Sequence, residues 1–569
     1  MKPGDKHWYS AVEAPLTVDG PAAVEWNEEA DVVVVGLGGA GVSAALDSLE
    51  RGFSVVAVDR QLGGGATEAS GGVFYAGGGT SIQRAAGEED TVDNMFNYLQ
   101  LETQGVVSDA TLRRFCSESA GHTEWLLQHG VKFHPTAYKR KTSYPGLDYF
   151  LYHSDNTLLP ASRAVAKPAA RGHRGDPGYR NRTAVNMGGA IFWPLRDAAL
   201  RAGLKLHRKA EVRQLVVDAK GEVLGVKVLQ LPEGSTAWNE HEQCLAKAKR
   251  LLTVYPFMLP GARYFQKKAF AWYGRASKIE ATQRVVRFIR AKRGVVLSAG
   301  GFVYNRAMMQ HHCPKYAAGV PLGTAGDDGA GIRLGESAGG HTTRMDRGTA
   351  WRFINPPEAW AHGLIVNRSG ERIVNEMSYG ATIGAAMCEE HGGKAWLILD
   401  KALVRQAWKQ SIPWKVLQFQ WQLSWLNMLF GLKKARDTGE LAALIGCPRA
   451  TLDATLAASA AAGRGEQPDA FGRDAEDIHD LQAPYYLMDI SLDAKLLPCT
   501  VLTMGGLVVD EATGAVLRED GSAIGGLYAA GRTAVGVPSH LYMSGLSIAD
   551  GVFSGRRAAQ AMAETSAET

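Results

Sequence analysis

Gly36, Gly38 and Gly41 follow the run Asp31-Val-Val-Val-Val35 in G-x-G-x-x-G spacing, and glycines so placed after an apolar run suit one task, holding a pyrophosphate. The first permits a tight turn, the second lets backbone approach phosphate, and the third lets a helix pack close to the strand. The helix start then offers free N–H donors and the positive end of its dipole. Gly39 and Ala40 lie inside the same turn. A second run, Ser54-Val-Val-Ala-Val-Asp59, ends in a carboxylate roughly 20 residues on, where an acid takes ribose hydroxyls. Directly after it, the stretch from Arg60 to Gly72 is rich in small residues and hydroxyls. Such a loop lies flat along an extended ligand and donates hydrogen bonds, so Arg60, Gly65, Ala66, Thr67, Ser70, Gly71 and Gly72 are expected contacts.

These groups need a buried strand, a turn, a helix and a second strand to position them, which is the opening unit of a Rossmann-like α/β domain. Later blocks repeat the theme. Gly294-Val-Val-Leu-Ser-Ala-Gly-Gly301 reads as a buried strand ending in small residues, Gly526-Leu-Tyr-Ala-Ala-Gly-Arg532 echoes it, and Gly545-Leu-Ser-Ile-Ala-Asp-Gly551 opens a final helix. Ala299, Gly300, Gly531, Arg532, Ser547 and Ile548 join the cofactor set, together with Val212. The fingerprint alone does not separate NAD from FAD, since both use this unit.

At 569 residues the chain exceeds one ordinary core, so two lobes or a large domain with insertions are expected. A formal charge of +4 gives no reason to expect nucleic acid. Six cysteines are scattered without a C-x-x-C pair, which suggests neither a disulfide framework nor a metal site and fits a reducing cytoplasm. The N-terminus is polar and lacks the apolar core of a secretory signal, and no unbroken apolar stretch is long enough for a transmembrane helix.

Taken in order, several blocks resemble the flavoprotein family of fumarate reductases, succinate dehydrogenase flavoprotein subunits and 3-ketosteroid dehydrogenases. They are the fingerprint, the Gly64-to-Gly72 loop, the Val295-to-Gly301 strand, Gly326-Asp-Asp-Gly-Ala-Gly-Ile332, Arg372-Ile-Val-Asn-Glu376, Thr503-Met-Gly-Gly506 and the Leu527-to-Asp550 segment. The resemblance implies a FAD-binding domain assembled from 1–345 and 490–569, an insertion at about 247–293, and a substrate-capping domain of α+β type at 346–489. In relatives with covalent flavin a His precedes the paired glycines. Gly65 stands at that place, implying non-covalent FAD.

Departures narrow the reaction. Fumarate reductases carry a His just before Thr-x-Gly-Gly and an Arg in the closing segment, where this chain has Leu502 and Tyr542. Two carboxylates desolvated without such partners cost several kcal/mol each, so a neutral ketone is the better substrate; a Tyr polarises its carbonyl or, as phenolate, takes a proton from the adjacent carbon. Tyr542-Met-Ser-Gly545 matches the Tyr-x-Ser-Gly of 3-ketosteroid Δ4-dehydrogenases rather than the Tyr-x-Gly of the Δ1 enzymes. The resemblance thus implies Tyr542, Ser544 and, after the R-x-x-N-E motif, Tyr379 as a catalytic relay. Tyr542 and Gly545 face substrate, hydride passes to flavin, and an external acceptor reoxidises it. The Δ1 reaction, an enone or unsaturated-acid reductase and a non-catalytic flavin protein stay open as alternatives. Two aromatic, basic segments, 247–293 and 412–431, suit either peripheral membrane contact or packing against protein.

Overall fold

The computed structural model describes residues 11–146, 148–178, 187–254 and 262–564. The polar N-terminal stretch and the 255–261 part of the first aromatic segment lie outside them. Val32, Val33 and Val34 are fully buried, as a strand covered by helices on both faces must be. Among the described residues the largest sheet runs in the order Leu16–Thr17, Ala210–Val217, Val223–Gln230, Val285–Leu297, Glu28–Val35, Val55–Val58 and Lys205–His207. Ala523–Ala529 joins it by pairing in parallel with the end of Val285–Leu297.

The half that holds the fingerprint is parallel, and the half on its other side is an antiparallel meander. Helix Gly39–Glu50 follows the fingerprint turn, and the final helix, Leu546–Glu564, lies on it. A Cβ on Gly555 would stand 2.4 Å from the Ala40 carbonyl oxygen, so only glycine lets the two ends of the chain pack together.

Among the described residues four smaller sheets accompany the largest one. Val73–Tyr75, Gly172–Arg174, Leu151–Tyr152 and Ala137–Tyr138 form one, and Leu364–Val366, Trp396–Asp400, Tyr485–Asp489 and Leu432–Ala435 another. Between these regions Thr500–Thr503 pairs with Gly348–Trp351, returning the chain to the nucleotide-binding sheet. The Arg372-to-Glu376 motif is a buried ion network. Arg473 reaches the Glu376 carboxylate at 2.8 Å, Arg372 donates to it at 2.9 Å, and Asp469 caps Arg372. The Glu376→Ala substitution, which strands Arg473, is expected to remove about 3–5 kcal/mol of stability, read from denaturant unfolding of the holoenzyme.

The first insertion differs from its expected bounds. Gln230 pairs directly with Val285, so the excursion starts and ends earlier than 247–293. Its content is two mutually packed helices, Thr236–Val254 and Ala262–Gln283. The basic residues that made 285–293 look like insertion alternate with buried Ile289 and Ala291, the period of an ordinary strand. In the second segment, helix Gln418–Leu426 sets Trp421 edge to face against Trp425 at 5.1 Å, and Trp408 meets Trp425 at 5.9 Å. Trp414, Leu429 and Phe430 stay exposed. No single helix among the described residues is long and apolar enough to cross a membrane; Thr438–Ile445 and Arg449–Gly463 qualify only as a pair, bent by 116°.

Candidate active site

One long cavity, with about 1650 Å³ of atom-free space that includes its open mouth, runs along the carboxyl ends of the parallel strands. The fingerprint forms its floor. Gly36 has φ +91°, and a Cβ there would sit 2.7 Å from the Ala299 Cα; one on Gly41 would sit 2.0 Å from the Gly36 carbonyl oxygen. A Cβ on Gly38 meets no protein atom nearer than 3.9 Å. The first two glycines are therefore demanded by the fold, and the third keeps space open for a ligand.

Asp59 accepts backbone N–H bonds from Leu37 at 2.9 Å and Gln61 at 2.7 Å, which fixes its carboxylate at the cavity wall. The Thr67 hydroxyl accepts from the Gly39 N–H at 3.0 Å. Arg60 pairs with Asp328 at 2.5 Å and Arg532 with Asp327 at 2.7 Å, so both cations of the lining are already engaged.

The other end is aromatic. Tyr542 meets Trp351 edge to face at 5.6 Å, and Trp351 lies 6.3 Å from Tyr379. Ser544 is held by its backbone to Ser154 in both directions, and its Oγ accepts a hydrogen bond from the Tyr152 hydroxyl at 3.3 Å. Burial pushes the Tyr542 phenol above its ordinary value, while the Arg532 charge and the Gly545 N–H pull it back. Tyr379 and Tyr152 are pushed further, by burial first and then by neighbouring phenols. Two phenolates cannot coexist here, and Tyr542 is the one of the three held least far above its ordinary value.

The FAD binding domain family matches residues 31–548, nearly the whole chain. The chain belongs to this family. Across 525 residues it is 36% identical to the 3-oxo-5-alpha-steroid 4-dehydrogenase of Comamonas testosteroni, covering 91% of this chain and 95% of that one. It is 25% identical to a 3-oxosteroid 1-dehydrogenase of Mycobacterium tuberculosis over 588 residues, 90% of this chain and 94% of the relative. The crystal structure of 3-ketosteroid-delta4-(5alpha)-dehydrogenase from Rhodococcus jostii RHA1 in complex with 4-androstene-3,17-dione superposes with a TM-score of 0.78 at 26% identity, covering 97% of this chain and all of that one.

The residues present fit FAD. Besides the open space above Gly38, the buried Arg532 Nη1 and Ser547 Oγ have no partner among the described residues, and buried polar atoms of a cavity wall are normally paired. Of the cofactor set named from sequence, Gly36, Gly38, Gly39, Ala40, Asp59, Arg60, Gly65, Ala66, Thr67, Ser70, Gly71, Val212, Ala299, Gly300, Gly531, Arg532, Ser547 and Ile548 line the cavity of this FAD binding domain, and so do Tyr542, Ser544 and Gly545. Leu502 lines it as well, and among the described residues no histidine or cysteine does.

Three residues named from sequence stand back from it. Gly41 packs helix on strand, and Gly72, at φ +67°, lies 2.5 Å by its Cβ position from the Met187 carbonyl oxygen. Tyr379 is fully buried behind Trp351, its phenol next to Ser544 and Trp351 without a well-formed hydrogen bond among the described residues. Tyr152, Trp351 and Lys141 escaped the sequence reading. The Lys141 ammonium lies 5.7 Å from the centre of the Tyr379 ring, and burial pulls it down to about 8. No motif marks any of the three. The Tyr152→Phe substitution removes one neutral hydrogen bond to Ser544, so kcat is expected to fall about three- to tenfold with KM unchanged, by steady-state assay.

The final helix carries a titrating support. Burial lifts the Asp550 carboxyl to about 6, against the Val537 N–H and the Arg557 charge. A folded-state pKa above the unfolded value of about 3.9 means the native state holds the extra proton, so stability falls as pH rises from about 4 to about 6. Asp550→Asn is expected to abolish that fall, and its thermal midpoint gains on the parent protein's across this window.

Proposed function

We propose that this chain is a 3-ketosteroid dehydrogenase of the Δ4 type, forming the double bond between the fourth and fifth carbons of a saturated 3-ketosteroid. The observation that carries the reading is the aromatic end of the FAD cavity, where Tyr542 and Ser544 face the open space and no free cation waits for a carboxylate. The relatives from Comamonas testosteroni and Rhodococcus jostii support the choice of ring bond.

Tyr542 takes the proton from the carbon beside the ketone; burial and neighbouring phenols hold Tyr379 and Tyr152 higher, while the Arg532 charge draws the Tyr542 phenol down. Ser544, fixed by Tyr152 and Ser154, passes that proton on or holds it, and Tyr379 keeps its own to polarise the neighbouring hydroxyl. Trp351 and Leu502 keep water from the reacting carbons. FAD supplies the hydride acceptor when bound. An external acceptor restores it, and the cofactor contacts are the cavity residues named above. The 346–489 stretch is the cap, and peripheral membrane contact runs through the aromatic segments 247–293 and 412–431.

The test is anaerobic mixing of holoenzyme with a saturated 3-ketosteroid, its Δ4-enone, or neither. Bleaching of flavin absorbance by the saturated ketone alone is the expected result. Bleaching by the enone alone moves the reading to the first-ring bond, and bleaching by neither removes it.

A further inference from the structure

The helical pair Thr236–Val254 and Ala262–Gln283 is joined to the body at one place, where Gln230 faces Val285 across the sheet. Its base is locked down. Lys209 donates to the Trp238 carbonyl at 3.0 Å and lies 3.8 Å over the Trp238 ring. A chain of ion pairs then leads inward: His241 meets Glu280 at 2.7 Å, Glu280 holds Arg284, Arg284 meets Glu211 at 2.5 Å, and Glu211 lies 3.9 Å from Arg60. Glu211 and Arg60 are walls of the cofactor cavity. The pair is thus oriented with respect to the site rather than hung loosely from it.

Away from the base the charges sort by sign. Glu240, Glu242 and Glu280 sit near it, and from residue 243 to 279 the sequence carries Lys247, Lys249, Arg250, Arg263, Lys267, Lys268, Arg275 and Lys278 with no acid at all. Lys247, Arg250, Lys267, Lys268, Arg275 and Lys278 are exposed, and no carboxylate among the described residues pairs with any of them. Tyr264, 57% exposed, stacks under Lys268 at 4.6 Å, and Tyr273 is open to solvent beside Arg275. On a chain of formal charge +4, this projection carries a run of cations without acidic partners among the described residues.

We infer that this helical pair is an arm that docks the enzyme on an anionic lipid bilayer. Cations interleaved with exposed tyrosines are what a headgroup layer accepts, the charge drawing the arm in and the rings settling at the interface. The arm rests on the function proposed above only for its purpose, since a steroid dissolved in lipid is met at the surface. A duplex nucleic acid would also answer the charge, but a binder of that kind presents its cations along a groove or an inserted helix, whereas here Lys268 lies over Tyr264 and Lys247 and Arg275 lie over Trp272.

Sedimentation of the holoenzyme with vesicles tests it. The enzyme is expected to pellet with phosphatidylcholine vesicles containing phosphatidylglycerol, to stay in solution with phosphatidylcholine alone, and to be released by high salt. Arg250→Ala/Lys267→Ala/Lys278→Ala is expected to weaken the partition about a hundredfold, with thermal midpoint and vesicle-free steroid oxidation unchanged. Sedimentation of this variant like the parent, equal binding to neutral vesicles, or retention on duplex DNA without sedimentation would overturn the arm. Steroid oxidation failing while sedimentation holds removes the proposed reaction and leaves the docking intact.

Discussion

Tyr542→Phe is expected to slow flavin reduction by a saturated 3-ketosteroid by about 10²–10⁴-fold, the range of a positioned general base. The substitution is nearly silent for packing. The phenyl ring still meets Trp351 edge to face at 5.6 Å, and the bonds that hold the turn come from Ser544 and Gly545 to Ser154 and Tyr75. Only the hydroxyl leaves, and no neighbour replaces it. Burial and mutual repulsion hold Tyr379 and Tyr152 more firmly protonated than Tyr542, and a serine hydroxyl is a far weaker acid. Stopped-flow absorbance measures the step directly, with flavin content as the control. A loss below about tenfold would leave Tyr542 without the role of base. In the parent enzyme the same step speeds up as pH rises, because the reactive form is the phenolate.

The second large effect separates two glycines of one motif. A Cβ at Gly41 would stand 2.0 Å from the Gly36 carbonyl oxygen and 2.8 Å from Ser298 Oγ. Gly41→Ala therefore lifts the first helix off its strand, at more than the roughly 1–3 kcal/mol of ordinary overpacking, and is expected to yield little folded protein and no flavin. Gly38→Ala meets no protein atom within 3.9 Å. Its methyl instead occupies space a pyrophosphate needs, so the protein is expected to fold and purify colourless. Circular dichroism and the ratio of flavin to protein absorbance read the two outcomes.

That contrast shows what can be read along the chain. Gly41 acts through Gly36, five residues away, and a short motif records such a demand, as it records the strand-turn-helix unit and the carboxylate at Asp59; that Gly36 is pressed against Ala299 of a distant strand is visible only in the fold. Tyr542 and Ser544 were legible only by resemblance. Tyr152 was not, because its bond to Ser544 joins positions separated by 392 residues through a two-residue strand that carries no signature. The edges of the first insertion were misplaced at 285–293 because charge on the exposed face of a strand resembles a solvated excursion. Only its pairing with Val223–Gln230 decides otherwise.

The pairing of Gln230 with Val285 also bears on how such an enzyme diversifies. The chain departs and returns at neighbouring points on the sheet, so the length between them is free to change, even to a short turn, without shifting the register of Val295–Leu297 or the position of Ala299. A different projection there changes where the catalyst is held and leaves the strands that carry its chemistry in place.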